Sequence, residues 1–210
     1  MMCSVRWPLG LVLDEASLSV YGDCFTFLLK LRGSIFLLDQ VHYRLSLRHA
    51  APATMLTRVC IELRHFVVNL HRYVMESVVR REGDVLERAL LAATSVDDVR
   101  RFHRRFVRHI SRYCMVSRDQ LWVLLRGKVS SILNLVPTLV SVVRSCEARD
   151  WAPLTDPDDE TLNKLSRDFA RLMNSVMQIL HRQAEVASTS SLSMSLLLFL
   201  DFNDYWRRQM

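Results

Sequence analysis

An all-α protein is the fold class this sequence predicts: an antiparallel bundle of about five long helices plus a short C-terminal helix. Wherever a hydrophobic period is visible it is 3–4, and nowhere is it two. Glycine and proline are scarce, with 5 of each in 210 residues, so long segments run without breakers. Half of the residues are hydrophobic. That is enough chain to bury a substantial core as one domain, or as one large piece of a longer domain.

Met1 to Leu13 reads as an extended lead-in, because Pro8 pushes Trp7 away from helical angles. Asp14, Glu15 and Ser17 signal a short helical turn leading into the next element. That element, Tyr21 to Leu45, is the helix around which the rest is expected to be organised. Its polar residues Asp23, Thr26, Lys30, Ser34 and Arg44 collect in one narrow sector. Cys24, Leu28, Leu31, Ile35 and Leu38 form one apolar stripe, and Phe25, Leu29, Phe36 and Tyr43 form a second beside it. A surface helix needs an apolar arc of only about 100°. This helix is therefore expected to be covered on at least two sides, with Leu28 and Ile35 as core positions. His49 to Pro52 ends it.

The second helix is expected from about Ala53 to Leu91. Leu56, Val59, Leu63, Phe66, Leu70 and Tyr73 repeat at 3–4 spacing along it, and Gly83 is the expected bend. Thr94 and Ser95, with Asp97 and Asp98 three residues on, offer two overlapping capping boxes that start a third helix, Val96 to about Met115. Ser117 with Gln120 makes another box and starts a fourth helix, to about Arg149, in which Pro137 predicts a kink. Trp151 to Glu160 is the clearest linker. Asp156 is placed there to cap the fifth long helix and Pro157 to sit at its first position. Ser188 to Ser195 breaks that helix, and a last short helix leads into a tail that packs Phe199, Phe202, Tyr205 and Trp206 onto the bundle.

Net charge is +6, from 28 Lys and Arg against 22 Asp and Glu, a modest excess that suggests an acidic partner. The five cysteines are widely spaced without a CxxC, which reads as buried free thiols in a reducing compartment. The N-terminus lacks the h-region of a signal peptide. The longest uncharged run, Val129 to Val143, falls short of the roughly 20 residues a bilayer span needs, so no membrane insertion is expected.

No phosphate-cradling glycine loop, HExxH or GxSxG is present, and no histidines pair at i, i+4. The expectation is a non-enzyme with no cofactor, no metal site and no small-molecule substrate. The third helix carries the one concentrated chemical feature. His103 falls on its apolar stripe with Val99, Phe106 and Ile110, the position of a hydrogen-bonded core histidine. Its other face gathers Arg101, Arg104, Arg105, Arg108 and Arg112, with Arg100 at the edge. Five like charges on one face repel each other unless acids or a partner answer them. The residues leave three readings open: a solvated face answered by acids elsewhere, a protein-contact face, or a site for nucleic acid or anionic lipid. No aromatics are interleaved on this face, which disfavours single-stranded nucleic acid.

Several segments in order resemble one family: Trp-Pro-Leu at residues 7–9, Tyr21 followed by FTFLLKLR, ELRHFVVNL, SVDDVRRFH and the terminal LDFNDYW. The chain resembles the C-terminal domain of the gamma-tubulin complex components, with a tail that leans toward the fifth or sixth component type. That resemblance implies a partial C-terminal helical domain over residues 1–210, without the separate N-terminal domain of the family and without the start of the C-terminal one. It implies binding to gamma-tubulin and to other complex components, and a scaffold role in microtubule nucleation at microtubule-organising centres (centrosome or spindle pole) in the cytoplasm. The alternative is a basic helical module that binds nucleic acid or another acidic protein.

Overall fold

The computed structural model describes residues 7, 9–47, 54–151, 154–186, 191–201 and 206. Among these residues every regular element is helical. A 3-10 turn, Leu9–Leu11, comes first, so the lead-in is not extended throughout. Eight α-helices follow: α1 Glu15–Ser46, α2 Thr54–Tyr73, α3 Arg81–Leu91, α4 Val96–Tyr113, α5 Gln120–Leu133, α6 Leu135–Ala148, α7 Asp156–Val186 and α8 Ser191–Leu200. The expected stop at His49 to Pro52 lies outside the described residues.

Local rules account for most boundaries. Asp14 accepts from the Ser17 backbone N–H at 2.9 Å and from its hydroxyl at 2.5 Å. These residues form the first turn of α1 itself, not a separate short element. Residues 54–91 are continuously helical, but Val74–Arg80 winds as π-helix between α2 and α3. Gly83 lies inside α3, so the irregularity falls several residues before the expected bend. Pro137 has no N–H to offer the Leu133 carbonyl, and the helical run is interrupted there for one residue. Asn134 sits between α5 and α6 in helical geometry, with φ −72° and ψ −11°. The N-terminus of α7 comes one residue earlier than expected: Asp156 is helical and Pro157 is its second residue. Thr155, just before it, donates its hydroxyl to Asp158 at 2.9 Å.

The backbone divides into two compact units. The first comprises residues up to Leu29 and Arg72–Arg126. Here α3 packs on α4, and the π-helical turn packs on both. Tyr21 of α1 bonds His103 of α4, and Cys24 lies against the Ile110 carbonyl. Tyr73, Cys114 and Met115 are buried in this unit. α4 closes with Met115 at φ 58°, the Val116 N–H on the Ser111 carbonyl and the Met115 N–H on that of Arg112. Glycine usually fills this left-handed position. Met115 is fully buried, and that burial offsets the roughly 1 kcal/mol or more that a side chain costs there.

The second unit comprises Lys30–His71 and residues from Gly127 onward. α2 packs on the second half of α1, with the Cys60 thiol at the Leu38 carbonyl and Arg64 paired to Asp39 at 2.7 Å. α6 packs on α7 and α7 on α8. Phe66 meets Phe169 edge-on at 6.4 Å, and Phe169 meets Trp206 at 5.5 Å. Trp206 is buried and donates its backbone N–H to Asp201 at 2.9 Å, so the tail does pack inward. Phe199 is half-buried, whereas Phe202 and Tyr205 lie outside the described residues.

The expectation for α1 is corrected. α1 is not apolar-covered on two sides: Cys24, Leu31, Ile35 and Leu38 are buried, while Phe25, Leu29, Phe36 and Tyr43 are each more than half exposed. Leu28 is half-buried, so of the two named core positions only Ile35 is in the core. Gln120–Ala148, taken through its one-residue break, is long and apolar enough to cross a membrane by length and composition, unlike the uncharged run alone. Half of its most apolar window is buried. Its buried residues Leu125, Val129, Ile132, Val136, Leu139 and Val143 recur at the 3–4 spacing of a core helix.

Candidate functional site: the arginine face of α4

α4 is built to present one face and bury the other. Ser95 is extended (φ −141°, ψ 159°) and its hydroxyl oxygen accepts from the Asp98 N–H at 3.1 Å. The Asp98 carboxylate accepts in return from the Ser95 hydroxyl at 2.9 Å and from the Thr94 hydroxyl at 3.1 Å and N–H at 3.3 Å. These bonds hold the Asp98 carboxyl below its usual range. One cap therefore forms, centred on Ser95 and Asp98, instead of two overlapping boxes.

The inner face of α4 carries His103, Ile110 and Tyr113, all buried. The His103 ring Nε2 lies 2.9 Å from the Tyr21 hydroxyl, and burial pushes its pKa down. Further along, His109 Nδ1 lies 2.9 Å from the Glu82 carboxylate of α3. α4 is thus fixed to both α1 and α3 by polar contacts as well as by apolar packing.

On the outer face, Arg101, Arg104, Arg105, Arg108 and Arg112 are all exposed, as the spacing predicts. Acids answer the ends of this row. Arg100 approaches Asp97 at 3.8 Å, Arg101 pairs with Asp98 at 2.6 Å and Arg112 with Asp119 at 3.2 Å. Among the described residues Arg104, Arg105 and Arg108 make no ion pair; Asp14, whose carboxyl is held low mainly by Ser17, feels the charge of Arg104 without bonding it. The arginines border a depression of about 360 Å³, lined by Asp97, Arg100, Arg101, Arg104, Arg105 and Arg108. Four of the five predicted arginines are brought together there, and Arg112 stands apart beside Asp119.

Capping spacing alone does not reveal the rim acids as partners. Asp97 and Asp98 are cap candidates by sequence, and their i, i+3 spacing to Arg100 and Arg101 also marks them as ion-pair partners. Asp119 lies beyond the helix end, and no helical spacing points to it.

Among the described residues every regular element is helical, and one helix carries a concentrated basic face opposite a buried histidine. Residues 2–206 match the family described as gamma tubulin complex component C-terminal, and the chain belongs to that family. It is 22% identical over 164 residues to gamma-tubulin complex component 6 of Mus musculus, a match covering 73% of this chain and 9% of that protein. To gamma-tubulin complex component 5 of Mus musculus it is 23% identical over 226 residues, covering 92% of this chain and 21% of the relative. Component 2 of Mus musculus is 24% identical over 123 residues, covering 56% and 14%. The chain thus spans about a fifth or less of the length of these curated relatives.

Proposed function

We propose that this chain is a gamma-tubulin-binding scaffold module: residues 1–210 as part of the C-terminal helical domain of a gamma-tubulin complex component, of the fifth or sixth type. The observation that carries the reading is the family match over residues 2–206. The module holds gamma-tubulin, and through other complex components sets several gamma-tubulins side by side as a template for microtubule growth. Its place is then the cytoplasm, at the microtubule-organising centre. The work is positional and asks no bond-making chemistry of the domain.

Two surfaces support a contact role. Arg104, Arg105 and Arg108 form an exposed cationic trio that makes no ion pair among the described residues, which suits a partner with acidic complementarity. α1 exposes Phe25, Leu29, Phe36 and Tyr43 at 55–64%, and large apolar side chains gathered on one face mark an interaction surface. The test is co-purification from cells, with the chain and gamma-tubulin complex component 5 as baits in parallel. Retention of gamma-tubulin by both supports the proposal. Retention by component 5 alone removes it.

A further inference from the structure

We propose that Arg104, Arg105 and Arg108 form a three-point clamp for a short acidic stretch of a polypeptide, with carboxylates and not phosphates as its ligands. The inference rests on the reading of this face as a protein contact and names what that contact takes.

Not all arginines of the row are free to take a ligand. Arg101 and Arg112 are held by Asp98 and Asp119, so their guanidinium groups are occupied within the fold. The middle three occupy two successive turns of α4 and make no ion pair among the described residues, with Asp14 feeling the charge of Arg104 without bonding it and Asp97 at the edge of the same depression. Residues four apart on a helix stand about 5–6 Å from each other. That matches the distance between carboxylates on neighbouring turns of an acidic helix, or at alternate positions of an extended strand. Guanidinium groups bind carboxylates through two parallel N–H donors. The depression between these arginine side chains gives such groups a place to sit.

The boundaries of the patch set the kind of ligand. Asp97 and Asp98 stand at its N-terminal end and Asp119 lies beyond its C-terminal end. From Arg101 to Arg112 the helix rises only about 16 Å. A nucleic acid carries phosphates continuously past both ends, where the arginines are already paired with acids and leave its phosphates unanswered. An acidic segment of a few residues ends before those pairs. Base stacking gives little compensation: the Phe102 ring already has the Arg101 guanidinium at 5.2 Å from its centre.

The test uses the full chain and two fluorescent probes, hexaglutamate and a duplex DNA of about two helical turns, titrated by anisotropy from about 50 to about 200 mM salt. The clamp predicts that hexaglutamate binds more tightly than DNA at the low salt and weakens several-fold at the high salt. R104E/R105E/R108E should abolish peptide binding while melting near the parent. R101E/R112E, which reverses as many as two charges at the answered positions, should weaken it by less than about threefold, since those groups are already engaged. Tighter binding of DNA, no peptide binding at low salt, or equal losses in the two variants each overturn the clamp. A triple variant that fails to melt cooperatively is replaced by R104Q/R105Q/R108Q, for which the same loss is expected and undiminished binding overturns the proposal. No tubulin is present in the assay, so a failed clamp and a failed gamma-tubulin assignment are told apart.

Discussion

The Tyr21 hydroxyl and His103 Nε2 lie 2.9 Å apart, joining α1 to α4 across 82 residues of sequence. His103 is only 5% exposed, and its other nitrogen, Nδ1, is buried without a hydrogen-bond partner among the described residues. Among the described residues the tyrosine is thus the one group that satisfies this ring. It also fixes the rotation of α4, and with it the direction in which the arginine row faces.

Replacing Tyr21 by Phe removes that partner and leaves the imidazole buried with both nitrogens unsatisfied. The expected loss is about 1–3 kcal/mol in urea unfolding. In Y21F/H103F the two losses should not add, because the second change removes the group that the first left stranded. Additive losses would show that the pair is not a coupled unit.

Stability should fall on mild acidification. Burial lowers the pKa of His65, His71 and His103 in the folded state. The unfolded chain therefore takes up protons first, as pH falls through its ordinary value of about 6.5. Full stability is present above that pH and declines below it, until the folded-state values are passed. Thermal melts between about pH 7.5 and 5.5 should show a falling Tm, with a shallower fall in H103F. A Tm that rises over this interval contradicts the assignment of these rings as neutral.

The two stripes of α1 should respond oppositely to truncation. Leu31 and Leu38 are fully buried, so each change to Ala should cost roughly 2–5 kcal/mol. Phe36 is 61% exposed, and F36A should stay within about 0.5 kcal/mol of the parent. A cost for F36A matching that of L38A would restore the expectation of a helix covered on both stripes.

The thiols offer a chemical check on burial. Cys24, Cys60, Cys114 and Cys146 are buried and none is disulfide-bonded. Burial pushes the Cys60 thiol up to about 11, so almost no thiolate exists at neutral pH. Iodoacetamide should label these four positions only after denaturation, as mass spectrometry can read directly. Rapid labelling of Cys60 in the native protein would contradict its place between α1 and α2.

What the sequence made legible was local. The Ser95–Asp98 cap depends on residues three apart, and the arginine row on one helix's own periodicity; both stand where the spacing puts them. The buried place of His103 followed from its stripe, but its partner Tyr21 depended on which helices meet. Periodicity also shows which residues of α1 are apolar without showing which have neighbours, so Phe25 and Phe36 read as core although they are exposed. The π-helical turn stayed hidden because Tyr73, Val74 and Val78 are apolar under either winding. The pairing of Arg112 with Asp119 crosses a helix end, where no repeat applies.

The central claim is binding to gamma-tubulin, and the most direct measurement is association of the purified chain with purified gamma-tubulin at several salt concentrations. The account predicts saturable binding by the parent. R101E/R104E/R105E/R108E should melt near the parent, because surface ion pairs are each worth only about 0–1 kcal/mol, yet associate more slowly and with little salt dependence. No binding by the parent, beside a component 5 control that binds, would contradict the functional assignment. Binding by the quadruple variant at an unchanged rate would return the arginines to a solvated face.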